Sequence, residues 1–174
     1  MTSTAAATNT IATALIAALE NEGAVTRKVL ERVPADKFGW KPHEKSMTFG
    51  RLATHVAEMH SWTKPTVEEP ELDFAKMDYK PFEPKTTEEL VAHFEKSYNE
   101  AIETLKGASD EIWSEPWSLR NGDQIYFTMP KIAVIRGMVL NHIVHHRGQL
   151  SVYLRENNIP VPAMYGPSAD EGQM

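Results

Sequence analysis

The chain has 174 residues, of which 41% are hydrophobic and 24% charged, and its formal net charge is -6 at pH 7. This length suits one domain, and we expect residues 1–174 to form it; the composition is that of a globular protein, not a disordered one. The acidic balance, without a long Lys/Arg cluster, disfavours nucleic-acid binding. The absence of cysteine excludes disulfides, thiolate nucleophiles and zinc-thiolate sites, so any metal ion must be held by His, Asp or Glu.

The N-terminal part predicts a single long helix. Residues 1–8 are small and polar without periodicity, and we expect them to be disordered. Apolar residues then recur at helical spacing from Thr10 to Val33, and Pro34 ends this helix. The apolar stretch 11–19 is too short to cross a bilayer and follows no basic leader. The sequence therefore predicts a cytoplasmic protein that does not contact membranes.

A second helix and a long crossover follow the connector at residues 35–45. Thr48 can cap this helix, which runs to about Thr63 and is expected to end before Pro65. Residues 64–85 are rich in proline and acidic side chains, a composition that predicts an irregular connection instead of a helix. A loop of this length is mobile or functional.

The third helix is followed by a hairpin signal. Thr86 or Thr87 resembles a helix start, and an apolar stripe then continues to about Gly107. The pair Asn121-Gly122 lies between two short apolar runs, which predicts a small β-hairpin.

The last predicted helix carries most of the histidines. Pro130 suits its first turn, it runs to about Asn157, and the tail 159–174 reads as a loop. Gly148 in mid-helix is expected to allow close packing of another backbone, since a glycine there costs roughly 1 kcal/mol relative to alanine. The chain therefore predicts an all-α fold of four helices with a small hairpin before the fourth.

The helical faces separate two histidines of the fourth helix from a third. At about 100° per residue, His142 and His146 share the core-facing stripe with Ile135 and Tyr153. Because they are four residues apart, their imidazoles project from one face and can converge on one ion. His145 lies about 100° away, toward the edge of the stripe, and is expected to face solvent or to support the pair.

One histidine of the second helix faces the same interior. His55 shares its face with Leu52, Met59 and Trp62, whereas His60 points nearly the opposite way. A single histidine on an apolar face is more often a hydrogen-bonded core residue than a ligand. Three inward histidines on two helices favour a metal site, because burying several imidazoles without partners is costly. From the pattern alone, both interpretations stay open.

Other side chains are candidates for supporting roles. Glu58 lies one turn from His55 and could accept a hydrogen bond from it, act as a general base, or be an ordinary exposed glutamate. Gln149, on the face of the histidine pair, and Trp62, on the face of His55, are candidate substrate-binding residues, as is Tyr165 in the tail. No glycine-rich phosphate loop, nucleophile elbow or zincin motif is present.

Several separated segments together resemble the DinB-like family of small metal-binding helix bundles. These segments occur in the family's order and are 40–47 (WKPHEKSM), 52–58 (LATHVAE), 142–150 (HIVHHRGQL) and 158–168 (NIPVPAMYGPS). The resemblance implies an up-down-down-up four-helix bundle, with the crossover after the second helix joining two parallel neighbours. It also implies a divalent metal ion bound by histidines at the positions of His55, His142 and His146.

The resemblance leaves the activity open between an enzyme and a non-catalytic protein. Relatives include metal-dependent S-transferases that use small thiols, so the first hypothesis is an S-transferase or hydrolase in which the metal activates water or a thiol. Zn²⁺ is the first choice of metal and Ni²⁺ the second, with Mn²⁺ or Fe²⁺ as further options. The expected partners are a small-molecule substrate, such as a low-molecular-weight thiol, and a second copy in a homodimer.

The alternatives are a metal-stabilised bundle or binding protein in a stress response, and a nucleic-acid-linked damage-response protein. The enzyme hypothesis further predicts an open metal position in a pocket covered by residues 64–85 or by the tail around Tyr165.

Overall fold

A computed structural model of the chain describes residues 10–172. The expectation of disorder in residues 1–8 lies outside the described residues. In chain order, the principal elements are α1 (Thr10–Leu30), α2 (Phe49–Glu58), a 3₁₀ segment (Met59–Trp62), α3 (Thr63–Glu68), β1 (Glu71–Asp73), α4 (Thr87–Gly107), β2 (Pro116–Asn121), β3 (Gln124–Pro130), α5 (Lys131–Val134), a π-helix (Ile135–Asn141) and α6 (His142–Glu156). Short 3₁₀ segments also occupy Ala35–Lys37, Phe74–Lys76 and Asp110–Ser114.

The two longest helices, α1 and α4, pack against each other at a glycine. A Cβ atom added to Gly23 would lie 2.5 Å from Cε2 of Tyr98, so only glycine permits this approach. The start of α4 is capped as predicted, because Oγ1 of Thr86 accepts the Glu89 N–H at 3.2 Å. Gly148, by contrast, is exposed and has no neighbour within 4 Å of an added Cβ, so the prediction of close packing there is wrong.

The second helix begins as predicted, but it extends past its predicted end and consists of three segments, which are α2, the 3₁₀ segment and α3. Oγ1 of Thr48 accepts the Arg51 N–H at 3.2 Å and caps α2. The chain then tightens into the 3₁₀ segment and resumes as α3, so the prediction that Pro65 ends the helix is wrong. Pro65 lies in the first turn of α3, a position at which a proline ring is tolerated.

The crossover forms a strand, and this corrects the predicted fold class. The hairpin of β2 and β3 is present, with Gly122 at a φ of +57°, but β1 pairs in parallel with β2 to give a three-stranded mixed sheet. The all-α assignment is therefore wrong: the chain has four principal helices plus this sheet. A three-residue strand is too short to show a period-two pattern, and the sheet edge offered by β2 decides its conformation.

Side chains lock this strand onto the hairpin and the helices. Oδ1 of Asp73 accepts the N–H of Ala75 at 3.0 Å and the N–H of Gly122 at 2.9 Å. Nε1 of Trp117, in β2, donates to the Pro65 carbonyl at 3.2 Å. The first part of the crossover is thus a fixed structure that lies against the end of the second helical segment.

The fourth helical segment is interrupted just before the histidines. It begins after Pro130 as α5, passes through seven residues of π-helix and becomes regular α-helix at His142. π-Helical turns are rare and often accompany functional sites.

The core is built by α1, α2, α4 and α6 together with Trp117 and Leu119 of the sheet. Within residues 10–172, no helix is long and apolar enough to cross a membrane.

Candidate metal centre

The histidines of α2 and α6 meet where these helices pack together. Nε2 of His142 lies 3.4 Å from Nε2 of His55 and 2.8 Å from Nε2 of His146. One nitrogen of each ring lies within 4.8 Å of the corresponding nitrogens of the other two. These are the three histidines that the sequence selected, and all three are partly buried.

The outer side of each ring faces an acceptor. Nδ1 of His146 lies 2.7 Å from Oε1 of Gln149, which selects the tautomer with an unprotonated Nε2. The His142 ring hydrogen-bonds the backbone of Met138, one turn earlier. Nδ1 of His55 lies 3.5 Å from Oε1 of Glu58, a long electrostatic contact. The hydrogen bonds of His146 and His142 fix these two rings so that each Nε2 points into the cluster, whereas Nδ1 of His55 has no hydrogen bond within residues 10–172.

Glu58 is held in place by two further side chains. Its Oε1 accepts Nη1 of Arg51 at 2.8 Å and the Tyr79 hydroxyl at 2.7 Å. Burial disfavours the carboxylate, but the contacts from His55, Tyr79 and Arg51 outweigh it and hold the pKa of Glu58 below its ordinary value. Glu58 is therefore ionised at neutral pH and orients His55.

Two of the three rings have a lowered pKa. Burial, reinforced by the neighbouring rings of His146, His55 and His145, lowers the pKa of His142 to about 4. Burial also lowers the pKa of His146, although Gln149 opposes this. The Nε2 atoms of His142 and His146, whose outer nitrogens face acceptors, lie 2.8 Å apart with their lone pairs directed at each other, and this is unfavourable unless a cation lies between them. The donor set fits a divalent metal ion.

The remaining histidines do not join this cluster. His145 is exposed, with its ring centroid 4.7 Å from that of His146. His60 points away from His55, as predicted, but its side chain is fully buried and packs edge-on against Phe94 and Tyr98 of α4. A histidine outside the predicted inward set is thus the most buried of these, because α4 covers the face of the second helical segment that carries it.

The three candidate substrate-binding residues lie in different surroundings. Trp62 lines a pocket together with His55 and Glu58. Gln149 is exposed and contacts the cluster through His146. The Tyr165 hydroxyl donates to Oε2 of Glu22 at 2.6 Å and accepts a hydrogen bond from Arg147, and this residue does not line the pocket with His55.

Two residues that hydrogen-bond Glu58 were not predicted from the sequence. Arg51 precedes Glu58 by two helical turns on the same face, a spacing that could have identified it. Tyr79 comes from the crossover, where no periodicity relates it to the helices, and only the folded chain brings it to Glu58.

Known proteins resemble this chain over most of its length. The DinB family model matches residues 5–173. The uncharacterized protein YrdA of Bacillus subtilis strain 168 is 25% identical over 156 residues, which cover 87% of this chain and 86% of that protein. Two crystal structures share the fold at 18% identity and a TM-score of 0.67, each aligned with 87% of this chain. They are DinB-like proteins of Bacillus cereus ATCC 10987 and of Bacillus subtilis (YjoA), covered over 95% and 96% of their lengths. Because the family match spans nearly the whole sequence, the chain belongs to the DinB family.

Proposed function

We propose that the protein binds one divalent metal ion through His55, His142 and His146, and that the site is catalytic, of the S-transferase or hydrolase type. The observation that carries the proposal is the convergence of three Nε2 atoms whose rings are oriented from outside by Glu58, the Met138 backbone and Gln149. Orientation of ligating rings by such outer contacts is typical of metal sites.

The donor set also supports a choice of metal. Three neutral imidazoles suit Zn²⁺ first and Ni²⁺ second, and Mn²⁺ or Fe²⁺ less well. Bound there, the ion would lower the pKa of a water or small thiol and so make it a nucleophile near neutral pH.

The protein groups around the cluster favour catalysis over a purely structural role. Among the described residues, no fourth His, Asp or Glu joins the group. Glu58 faces the outer nitrogen of His55 and not the convergence point. Structural zinc sites are closed by four protein ligands, whereas catalytic sites leave a position for an exogenous one. The adjoining pocket supports access by a small molecule.

The experiment uses Co²⁺ as a spectroscopic substitute for the native metal. Co²⁺ is expected to bind stoichiometrically, and titration with 2-mercaptoethanol is expected to add a sulfur charge-transfer band to the visible spectrum. The variants His55→Ala, His142→Ala and His146→Ala should each lose the metal. His145→Ala and His43→Ala, which change exposed histidines, are matched controls and should retain it.

The outcomes separate the two parts of the proposal. Stoichiometric metal in all three cluster variants would overturn the ligand assignment. Bound Co²⁺ with an unchanged spectrum at saturating thiol would contradict thiol activation and favour a metal-stabilised, non-catalytic bundle. A low-molecular-weight thiol as partner, a homodimer and a cytoplasmic location stay predictions.

A further inference from the structure

A cavity of about 300 Å³ adjoins the histidine cluster and shares His55 with it. This is at the small end of ligand pockets, which span roughly 300–1,000 Å³. One wall comes from the second helical segment and the other from the crossover, and most of the lining is apolar. The apolar lining residues are Met59, Trp62, Pro65, Leu72, Phe74 and Met77.

The crossover wall is preformed. Leu72 lies in β1, opposite Leu119 of β2, and the Asp73 carboxylate fixes the turn that carries Phe74. The Phe74 ring meets the Trp62 ring edge-on at a centroid distance of 6.1 Å, so the two walls touch at one side of the cavity. Phe74 and Met77 nevertheless remain 39% and 42% exposed, which leaves apolar surface at the mouth for a ligand to cover.

The charges in the lining cancel. Arg51 is the cation of the wall, and its guanidinium is paired with the Glu58 carboxylate at 2.8 Å and also donates to Tyr79 at 3.1 Å. To bind Arg51, an anionic ligand would have to displace the Glu58 carboxylate. It would also be repelled by the negative charge of that carboxylate. An uncharged ligand meets no such cost, because both charged groups keep their partners.

We propose that this pocket binds an uncharged, largely apolar small molecule of one or two rings, and that this molecule is the substrate of the proposed metal site, held with one end toward His55. Trp62 and Phe74 supply aromatic surface for a planar group. The assignment as a substrate rests on the proposed metal site, whereas binding of the apolar body does not require the metal.

The test compares 1-naphthol, which is uncharged at pH 7, with 1-naphthalenesulfonate, which has the same rings and a fixed negative charge. Calorimetric titration of the metal-free and Zn²⁺-loaded protein is expected to show one 1-naphthol site in both forms. The sulfonate should bind at least tenfold more weakly. Phe74→Ala should weaken 1-naphthol binding at least tenfold, whereas Ile125→Ala, which removes a 55% exposed apolar side chain of β3 outside the pocket, should not.

Three results would overturn the inference: no saturable 1-naphthol binding, equal affinity for the two probes, or unchanged binding in the Phe74→Ala variant. Failure of the protein to bind Zn²⁺ while 1-naphthol still binds in the pocket would count against the proposed metal function alone. Binding of Zn²⁺ without binding of 1-naphthol would count against this inference alone.

Discussion

His146 and Arg147 are neighbours in α6, yet they belong to two polar clusters of opposite character. The Arg147 side chain is 1% exposed, and its guanidinium donates to the Glu22 backbone carbonyl at 3.0 Å, to Oε2 of Glu22 at 2.5 Å and to the Thr26 hydroxyl at 2.9 Å. Tyr165 completes this network from the tail. Its charges and hydrogen-bonding groups are matched within the protein.

Among the described residues, no acidic side chain joins the three nitrogens of the histidine cluster. Its Nε2 atoms converge, with 3.4 Å between those of His55 and His142 and 2.8 Å between those of His142 and His146, and the His55 ring borders an apolar pocket. Two clusters one residue apart therefore differ in that only the Arg147 network contains its own counter-charge. The Arg147 network joins α1, α6 and the tail, whereas the histidine cluster is a donor set that could hold a metal ion.

Substitution of Arg147 tests whether its network stabilises the fold, and we expect it to change the free energy of unfolding more than the other substitutions do. Arg147→Met should lower the free energy of unfolding by about 3–5 kcal/mol, because the Glu22 carboxylate would remain in place without its cation. Urea unfolding measures this. Metal affinity of the folded variant should be unchanged.

The control is the double variant Arg147→Met/Glu22→Leu, which removes both charges and should recover most of the lost stability. If Arg147→Met folds stably but no longer binds metal, the two clusters form one functional unit, and the division between a structural and a metal-binding cluster is wrong.

His60 is a third case, because its buried ring has no hydrogen-bond partner among residues 10–172. Neither ring nitrogen has a hydrogen bond, and burial, with Arg147 nearby, lowers its pKa from 6.5 to about 4. The unfolded chain then binds more protons than the folded one between these values, so stability falls as the pH drops from about 6.5 to about 4. His60→Leu should remove about 3 kcal/mol of this loss at pH 4.

The measurement is urea unfolding of His60→Leu and the parent chain from pH 7 to pH 4. His43→Leu, which changes an exposed histidine, is the control and should follow the parent. Parallel pH profiles for His60→Leu and the parent would mean that His60 finds a proton acceptor in the folded state.

The smallest expected effect concerns the contact behind His55. Glu58→Gln keeps the shape of the side chain but removes the charge that faces Nδ1, so metal affinity should fall about 10- to 100-fold. Competition with a chelator measures the affinity, and Glu95→Gln, on the surface of α4, is the matched control. Unchanged affinity would indicate that helix packing alone orients His55.

The helical faces identified the cluster because each face is a local property. His142 and His146 are one turn apart on a helix that is regular over that interval, and His55 lies on the apolar face of α2. The same reasoning missed the burial of His60, which depends on the packing of α4 over that face, and the continuation past Pro65, which depends on the 3₁₀ segment that joins α2 to α3.

The start of α2, the bounds of α4, the hairpin turn and the common face of His142 and His146 follow from periodicity, capping or a motif within a few residues of the sequence. The family, and with it the selection of all three histidines, follows from separated segments that occur in the family's order. Only the tertiary structure decided that the crossover adds a strand, that Tyr79 reaches Glu58, and that Leu72 and Phe74 complete a pocket beside His55. These features depend on contacts between residues far apart in the chain, where backbone groups at a sheet edge and apolar side chains acquire partners that no local pattern specifies.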